Sequence, residues 1–436
     1  MRALGVRTMT FNIVNLVVGA SIFVLPATVA GVLGPAAILA YLVSAVAIGF
    51  VALCFAEAGS RVSESGGLYA YAATAFGPFV GYLIGVLTWL AIVLGGAALA
   101  NVLAGSIGIL IPATADPAWQ AALVVALYVG LTTVNVRGVK AGARVVEGLT
   151  VLKIAPLLLL IVAGAFLVDP ANLAWTAQPS IGAVADGAFL LVFAFSGTEL
   201  AMTPGGEIRD PARTVPRAIL GGLAGVTLLY VAIQVVAQGV LGDRLAQETA
   251  APLGAVAEAS LGRWGLMLVL AATVLSIFGS LSGDMLASPR MLYALGRDGH
   301  LPAAFGRVHE RFRTPHVAII AHAAATVGLA LTGTVEHLIV LAVVAALLAY
   351  FACAVAVLVM RRRDVRTESP PFRIPGGPLV PALACVVVAA LLARATAREF
   401  VAVTLALGVA ALLYALRRAQ AWARPTGKRD GRPELG

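Results

Sequence analysis

The sequence is short of charged residues, of cysteine and of any stretch that resembles a soluble domain. Asp, Glu, Lys and Arg make up 12% of its 436 residues, whereas 60% of the residues are hydrophobic and the mean hydropathy is +0.96. A soluble globular protein carries about twice that share of charge, so most of this chain must face lipid or other apolar helices. The 3 cysteines lie in apolar runs without metal-ligand or redox spacing, which indicates buried side chains. The composition predicts a polytopic membrane protein.

Missing motifs argue against several functional classes. The sequence has no G-x-x-x-x-G-K-[ST] phosphate loop, which a nucleotide-driven pump requires. It lacks the repeated rings of charged residues that a channel uses for ion selectivity. It also lacks His, Asp and Glu residues at one depth of the membrane, as a membrane enzyme would need, so we expect no catalysis, cofactor or metal. The net charge of +9 is spread over short loops, which argues against nucleic acid. The histidines share no helical face and are assigned no role: His300, His309, His316, His322 and His337.

Apolar runs of about 20 residues, the length that crosses a bilayer, recur twelve times. Their approximate centres are Gly19, Ala45, Leu94, Tyr128, Leu158, Phe195, Leu229, Ser276, Ala324, Leu348, Val387 and Gly408. Lys and Arg concentrate in the loops after even-numbered spans, for example at Arg361 to Arg373, and are few after odd-numbered spans. The positive-inside rule therefore predicts twelve transmembrane helices in the cell membrane, with both termini in the cytoplasm.

The first span is interrupted by the small residues Gly19, Ala20 and Ser21, in N-L-V-V-G-A-S-I-F-V-L-P. Such residues favour opening of a helix, which frees carbonyl groups on the first half and N–H groups on the second. At membrane depth these groups need a partner in protein or in a water-filled cavity. A zwitterion would satisfy both ends, with its carboxylate at the N–H groups of residues 20–22 and its ammonium at the Val17 carbonyl. The alternative is a close helix contact through small residues.

A similar interruption occurs in the sixth span, at Ser196 and Gly197 in F-A-F-S-G-T-E. Spans one and six are five apart, and a five-helix unit that is repeated once is inverted in the membrane because five is odd. Paired breaks in two inverted halves indicate a transporter site at the midplane. The predicted boundaries are 1–168 for the first inverted repeat, 182–363 for the second, 376–418 for two further helices and 419–436 for a cytoplasmic tail.

Three predicted cytoplasmic stretches extend the pattern: S-E-S-G-G-L-Y-A-Y from Ser63, G-G-E-I-R-D-P-A-R-T-V-P-R from Gly205, and S-P-R-M-L-Y-A-L-G-R-D-G-H-L-P from Ser288. Together with G-A-S-I-F and F-A-F-S-G-T-E, they resemble motifs of the amino acid, polyamine and organocation (APC) superfamily of transporters over essentially the whole chain. The resemblance implies an all-α membrane protein with a leucine-transporter-like fold, in which helices one and six are broken. It also implies alternating-access transport of an amino acid, by proton coupling or by exchange.

The resemblance places the substrate between the two breaks. The expected substrate-binding residues are Val17, Gly19, Ala20, Ser21, Ile22, Phe193, Ala194, Ser196 and Gly197, with the ammonium at the carbonyls of Val17, Phe193 and Ser196. Ser21 departs from the glycine that the family often has there, and it either adds a hydroxyl donor or narrows the pocket. Phe193 is either an aromatic gate over the substrate or a packing residue.

Two charged residues are candidates for coupling. Lys153 is the one basic residue well inside a predicted span, and it either extends to the cytoplasmic surface or, as in sodium-independent relatives, replaces a sodium ion between helices one and eight. Glu199 follows the second break, where it either caps the second half-helix or holds a proton.

The uncharged residues at the breaks predict a neutral L-amino acid as substrate, because an unpaired charge buried there costs several kcal/mol. The alternatives are a cationic amino acid or polyamine, with Glu199 as the counter-charge, and a transporter-like sensor.

Overall fold

The computed structural model describes residues 5–19, 21–62, 66–138, 143–175, 177–197, 211–248, 250–366 and 370–422. Within these ranges the chain forms fifteen α-helices, several short 3-10 turns and no β-strand. The helices are α1 Val6–Val17, α2 Leu25–Leu33, α3 Ala37–Arg61, α4 Leu68–Phe76, α5 Pro78–Leu110, α6 Pro117–Arg137, α7 Ala143–Ala165, α8 Ile181–Phe195, α9 Pro211–Leu241, α10 Pro252–Ala287, α11 Pro289–Arg297, α12 His316–Thr332, α13 Val335–Arg362, α14 Leu379–Leu392 and α15 Ala397–Trp422.

Local sequence signals explain many of the helix ends. Proline stands at the start of α5, α6, α10 and α11, where its missing N–H costs nothing and its fixed φ suits a helix. Asp116 caps α6 by accepting from Ala118 N at 2.8 Å, and Ser180 caps α8 by accepting from Ala183 N at 3.1 Å. Gly34, at φ 53°, ends α2 and lets the chain turn into α3.

Seven helical stretches of the described chain are long and apolar enough to cross a membrane. They are Leu25–Arg61, Pro78–Leu110, Pro117–Arg137, Arg213–Gln247, Pro252–Arg297, Val335–Arg362 and Ala397–Ala419. Four shorter apolar helices accompany them: Lys153–Ala165, Ile181–Phe195, His316–Thr332 and Leu379–Leu392. The chain is therefore a multi-pass membrane protein. Of the twelve predicted span centres, Gly19 lies between α1 and α2, and the others lie within described helices.

The helices differ in how much of their surface other helices cover. In the most apolar windows of α13 and α5, 67% and 61% of the residues are buried, whereas 17% are buried in those of α6 and α15. Helices α5 and α13 pack along each other, and α3 packs against α8, α9 and α13. The interior of the bundle is therefore built on α3, α5 and α13. The large apolar side chains on the outside of α6 and α15, such as Val129 and Leu405, suit contact with lipid.

Candidate substrate site

The first helix ends at Val17, and helical structure resumes with a 3-10 turn at Ser21–Phe23 and with α2 at Leu25. In an uninterrupted helix the Gly19 N–H would bond to the Asn15 carbonyl. Gly19 N instead donates to Val17 O at 2.7 Å. The Asn15 carbonyl is thereby released from the helix and needs another donor.

Lys153 of α7 supplies that donor. Its Nζ lies 2.7 Å from Asn15 O, and the residue is 6% exposed, so the side chain stays inside the bundle. An ammonium group at the carboxyl end of a helix also interacts favourably with the helix dipole. Among the described side chains, no carboxylate forms an ion pair with Lys153. Lys153 is thus a cation that is held by the backbone at the broken end of α1.

Tyr230 of α9 joins the two interrupted helices. Its hydroxyl lies 2.8 Å from the Val17 carbonyl oxygen and 3.3 Å from that of Ala194 in α8. A phenol carries one hydrogen, so the two carbonyls share one donor. The ring is fully buried and contacts Phe195 and Tyr41, with centroid distances of 5.4 and 6.4 Å. These contacts fix the hydroxyl between the ends of α1 and α8. Nothing in the sequence around Tyr230 indicates this contact.

Gly197 brings the end of α8 onto the end of α1. It adopts φ 117°, a conformation that residues with a side chain rarely take. A Cβ at this position would lie 3.0 Å from the Leu16 carbonyl oxygen and 3.5 Å from Val17 N. The two interrupted segments therefore meet through backbone, and only glycine leaves room for that contact.

Ser196, the residue after the end of α8, is held by two hydrogen bonds. Its hydroxyl donates to Val192 O at 2.8 Å and accepts from Tyr350 of α13, with an Oη to Oγ distance of 3.3 Å. The ring of Tyr350 in turn makes an edge contact with Phe55, with centroids 5.3 Å apart. The break in α8 is thus anchored to α13 in the same way that the break in α1 is anchored to α7 and α9.

Most of the described residues at the two interruptions are buried, although Phe193 and Ser196 are partly exposed. Val18, Ile22 and Ala194 are 0% exposed and Ser21 is 7% exposed, with its hydroxyl beside that of Tyr230. The structure therefore brings the described candidate residues of the two breaks together, with most of them inside the bundle.

Phe193 is half-buried, and its ring occupies the space beside Gly95 of α5. A Cβ on Gly95 would lie 2.9 Å from Phe193 Cε2, so this glycine makes room for the ring. The other two predicted site residues, Ala20 and Glu199, lie outside the described residues.

Comparison with known proteins connects this geometry to a family. The model of a family described as amino acid permease matches residues 4–414. The chain belongs to the amino acid permease family. The permease is 33% identical over 404 residues to an uncharacterized transporter of Mycobacterium tuberculosis, a match that covers 92% of this chain and 88% of the relative.

Two similar proteins of Bacillus subtilis carry more specific names. A methylthioribose transporter is 29% identical, over 87% of the permease and 85% of the relative. The branched-chain amino acid permease BcaP is 27% identical, over 88% of the permease and 86% of the relative. Transport is common to these names, whereas the substrate differs between them.

A buried ion-pair network lies at the end of α3. Glu57, which is 0% exposed, accepts from Arg61 Nη2 at 2.8 Å, from Arg361 Nε of α13 at 2.7 Å and from Ile374 N at 3.0 Å. Arg61 Nη1 also donates to Val365 O at 2.9 Å. One carboxylate therefore fastens α3 to α13 and to the segment after it.

A second polar cluster lies where α5, α10 and α12 meet. His322 of α12 is 0% exposed, with Nε2 3.3 Å from Asp284 Oδ2 of α10, and Trp89 Nε1 of α5 donates to His322 Nδ1 at 3.1 Å. None of these three residues was predicted to have a role, although a carboxylate such as Asp284 within an apolar run indicates a polar partner on another helix. Across the described residues, no group of three or more His, Cys, Asp or Glu is arranged to hold a metal ion.

Proposed function

We propose that the permease is a secondary active transporter, which carries amino acids across the cytoplasmic membrane by alternating access. The main support for this proposal is the contact between the two interrupted helices, α1 and α8. Gly197 lies against the Leu16 carbonyl, and Tyr230 bridges Val17 and Ala194. Interrupted helices that face each other inside a membrane bundle are the usual way in which transporters expose backbone groups to a substrate.

We further propose twelve crossings, arranged as two inverted five-helix repeats and two final helices, with both termini in the cytoplasm. A local likeness between the halves supports this arrangement. The nine-residue helix α4 follows α3, the second span. In the second half, a short helical stretch at 252–261 follows α9, the seventh span, and ends at Gly262, whose φ of 69° interrupts α10. Each half thus has a short helix directly after its second span.

The substrate ammonium would compete with Tyr230. The Val17 carbonyl, which is an expected ammonium acceptor, already accepts from Gly19 N and from Tyr230 Oη in this structure. A carbonyl oxygen has two lone pairs, and both are already used. An ammonium can therefore bind there only by displacing the hydroxyl of Tyr230 or the N–H of Gly19. We infer that Tyr230 holds the two helix ends in place until the substrate provides the donor instead.

Lys153 is proposed to take the place of a coupling cation. Its ammonium binds the carbonyl that the first break releases, and α7 packs against α10 beside that break. If Lys153 loses its proton, the end of α1 loses a cation but keeps an amine donor, which weakens the tie between α1 and α7. Protonation of Lys153 would then control the movement of α1, and no sodium would be required.

The proposed substrate is a neutral L-amino acid. The described residues at the breaks, Val17, Val18, Ser21, Phe193, Ala194 and Ser196, carry no charge. A charged substrate side chain that was buried among them would cost several kcal/mol without a partner. The name of the branched-chain amino acid permease agrees with such a substrate.

Reconstitution in liposomes tests the proposal. We expect saturable uptake of labelled leucine that increases when unlabelled leucine is present on the opposite side, which is the behaviour of a carrier. Unlabelled alanine, serine or isoleucine should compete more strongly than arginine or putrescine. Strong competition by arginine or putrescine alone would instead support a cationic substrate, with Glu199 as its counter-charge. Binding without transport in intact vesicles would indicate a sensor.

A further inference from the structure

The cluster of Trp89, His322 and Asp284 has a hydrogen-bond pattern that fixes where its protons lie. The indole N–H of Trp89 is a donor only, so His322 Nδ1 must accept and carries no hydrogen. The single hydrogen of the neutral imidazole is then on Nε2, which faces Asp284 Oδ2. The Ser288 hydroxyl donates to the other carboxylate oxygen, Oδ1. Both oxygens of Asp284 thus accept hydrogen bonds, as an ionised carboxylate does.

This arrangement leaves a net negative charge among membrane helices. A neutral imidazole does not compensate the carboxylate, and no described Arg or Lys forms an ion pair with Asp284. The His322 ring is fully buried and the Asp284 side chain is 12% exposed. An uncompensated charge within a membrane bundle costs several kcal/mol, so binding of one proton removes a substantial penalty.

Two tyrosines belong to the helices that pack beside the cluster. α5 carries Tyr82, about two turns before Trp89, and α6 presents the Tyr128 hydroxyl, since a Cβ on Gly96 would lie 3.3 Å from Tyr128 Oη and 3.4 Å from Asp284 Oδ2. On the helices packed against α10 and α12, the remaining ionisable side chains that the structure describes are Arg137 of α6, Lys153 of α7, Arg213, Arg217 and Tyr230 of α9, Glu258 and Arg263 of α10, Arg290, Tyr293 and Arg297 of α11, and His316 of α12. Lys153 is already bound to Asn15 O.

Solvent reaches the cluster at Asp284, whose side chain is 12% exposed, whereas the His322 side chain is 0% exposed. A cleft that is lined by Asn135, Met285, Arg290 and Ile319 lies nearby, but Trp89, Asp284 and His322 do not line it. A proton from solvent therefore reaches the pair at the exposed part of Asp284.

We propose that His322 and Asp284 form a proton-binding site that is separate from Lys153. The proton comes from solvent and binds His322 Nδ1, because imidazole is more basic than a carboxylate. The hydrogen bond from Trp89 then breaks, since both nitrogens of an imidazolium are donors. The product is an imidazolium–carboxylate pair with no net charge. Proton binding changes the contact between α5 and α12, and it does not depend on the substrate or on the proposed transport function.

Tryptophan fluorescence tests this site without a substrate. Trp89 is made the only tryptophan of the full-length protein by Trp119→Phe, Trp175→Phe, Trp264→Phe and Trp422→Phe. Trp119, Trp175 and Trp264 are 49% to 64% exposed, so their replacement leaves the interior intact. An imidazolium next to an indole quenches its emission far more than a neutral imidazole does. We expect reversible quenching of Trp89 when samples are acidified from about pH 8 to about pH 5, the range over which the assay is run.

Three further variants in this background make the result specific. His322→Gln should abolish the quenching, because an amide does not titrate. Asp284→Asn should weaken the quenching, because the carboxylate that pairs with the imidazolium is gone. His316→Gln, two turns along α12, should leave the titration unchanged.

Size-exclusion profiles at each pH show which variants remain folded. Trp89 emission that is flat across this range in folded protein would overturn the proposal, as would quenching that persists in His322→Gln. Loss of the pH-dependent quenching in His316→Gln would show that His316, and not His322, binds the proton, and this result would also overturn the proposal. None of these outcomes depends on whether uptake is observed, so failure of this site and failure of the transport proposal are separate results.

Discussion

Replacement of Gly197 by alanine tests the contact between the two interrupted helices. The added Cβ would lie 3.0 Å from the Leu16 carbonyl oxygen and 3.2 Å from its carbon. Both are backbone atoms of α1, so no side chain can rotate away. Alanine at φ 117° also adds backbone strain of about 1 to 3 kcal/mol. We expect Gly197→Ala to reduce the free energy of unfolding by at least that amount and to separate the ends of α1 and α8.

The assay compares unfolding in a denaturing detergent series with equilibrium binding of labelled leucine. Gly225→Ala is the matched control, because Gly225 lies within α9 and has nothing within 4 Å of its Cβ position. Alanine in a helix is favoured over glycine by about 1 kcal/mol, so the control should be as stable as the parent or more stable. Leucine binding should weaken in Gly197→Ala and remain unchanged in the control. A Gly197→Ala protein with the stability and affinity of the parent would refute the reasoning.

Three further predictions concern charge. Lys153→Ala should abolish the pH dependence of leucine uptake while binding persists, and uptake by the parent that requires a sodium gradient would contradict the proposed role. Glu57→Gln should lower the free energy of unfolding by about 3 to 5 kcal/mol, because it leaves the buried Arg61 and the partly buried Arg361 without their carboxylate; unchanged denaturation would show that water replaces the ion pairs. Burial lowers the pKa of His300, against a smaller opposing effect of Asp298. The unfolded chain therefore binds a proton more readily there, and stability should fall as the pH drops below about 6.5. His300→Gln should reduce that loss, as measured by melting temperature against pH; an identical pH profile would exclude the effect.

The first interruption was predictable because its signal is local. Gly19 and Ser21 are small residues within an apolar run, and a helix of such residues opens at little cost. Lys153 was also visible from sequence, since a lone cation in an apolar run requires a partner. Its partner was not visible, because the Asn15 carbonyl becomes available only when the Gly19 N–H turns to Val17.

The contacts that join the helices could not be predicted from one sequence. Tyr230 lies 213 residues from Val17, and Arg361 lies 304 residues from Glu57. Each of these residues has an ordinary explanation within its own helix, and only the packing of distant helices pairs them. His322 was passed over for the same reason, because its partner Asp284 is on another helix and 38 residues away.

The most direct test of the central claim is leucine binding to a protein in which the first break is filled. Ala20→Leu places a large side chain at the expected position of the substrate carboxylate. Ala126→Leu makes the same change on the exposed face of α6 and serves as the control. Calorimetric titration of both variants, after size-exclusion chromatography has shown that they are folded, should give no binding for Ala20→Leu and parental affinity for Ala126→Leu. Parental affinity in Ala20→Leu would contradict the account and place the substrate elsewhere in the bundle.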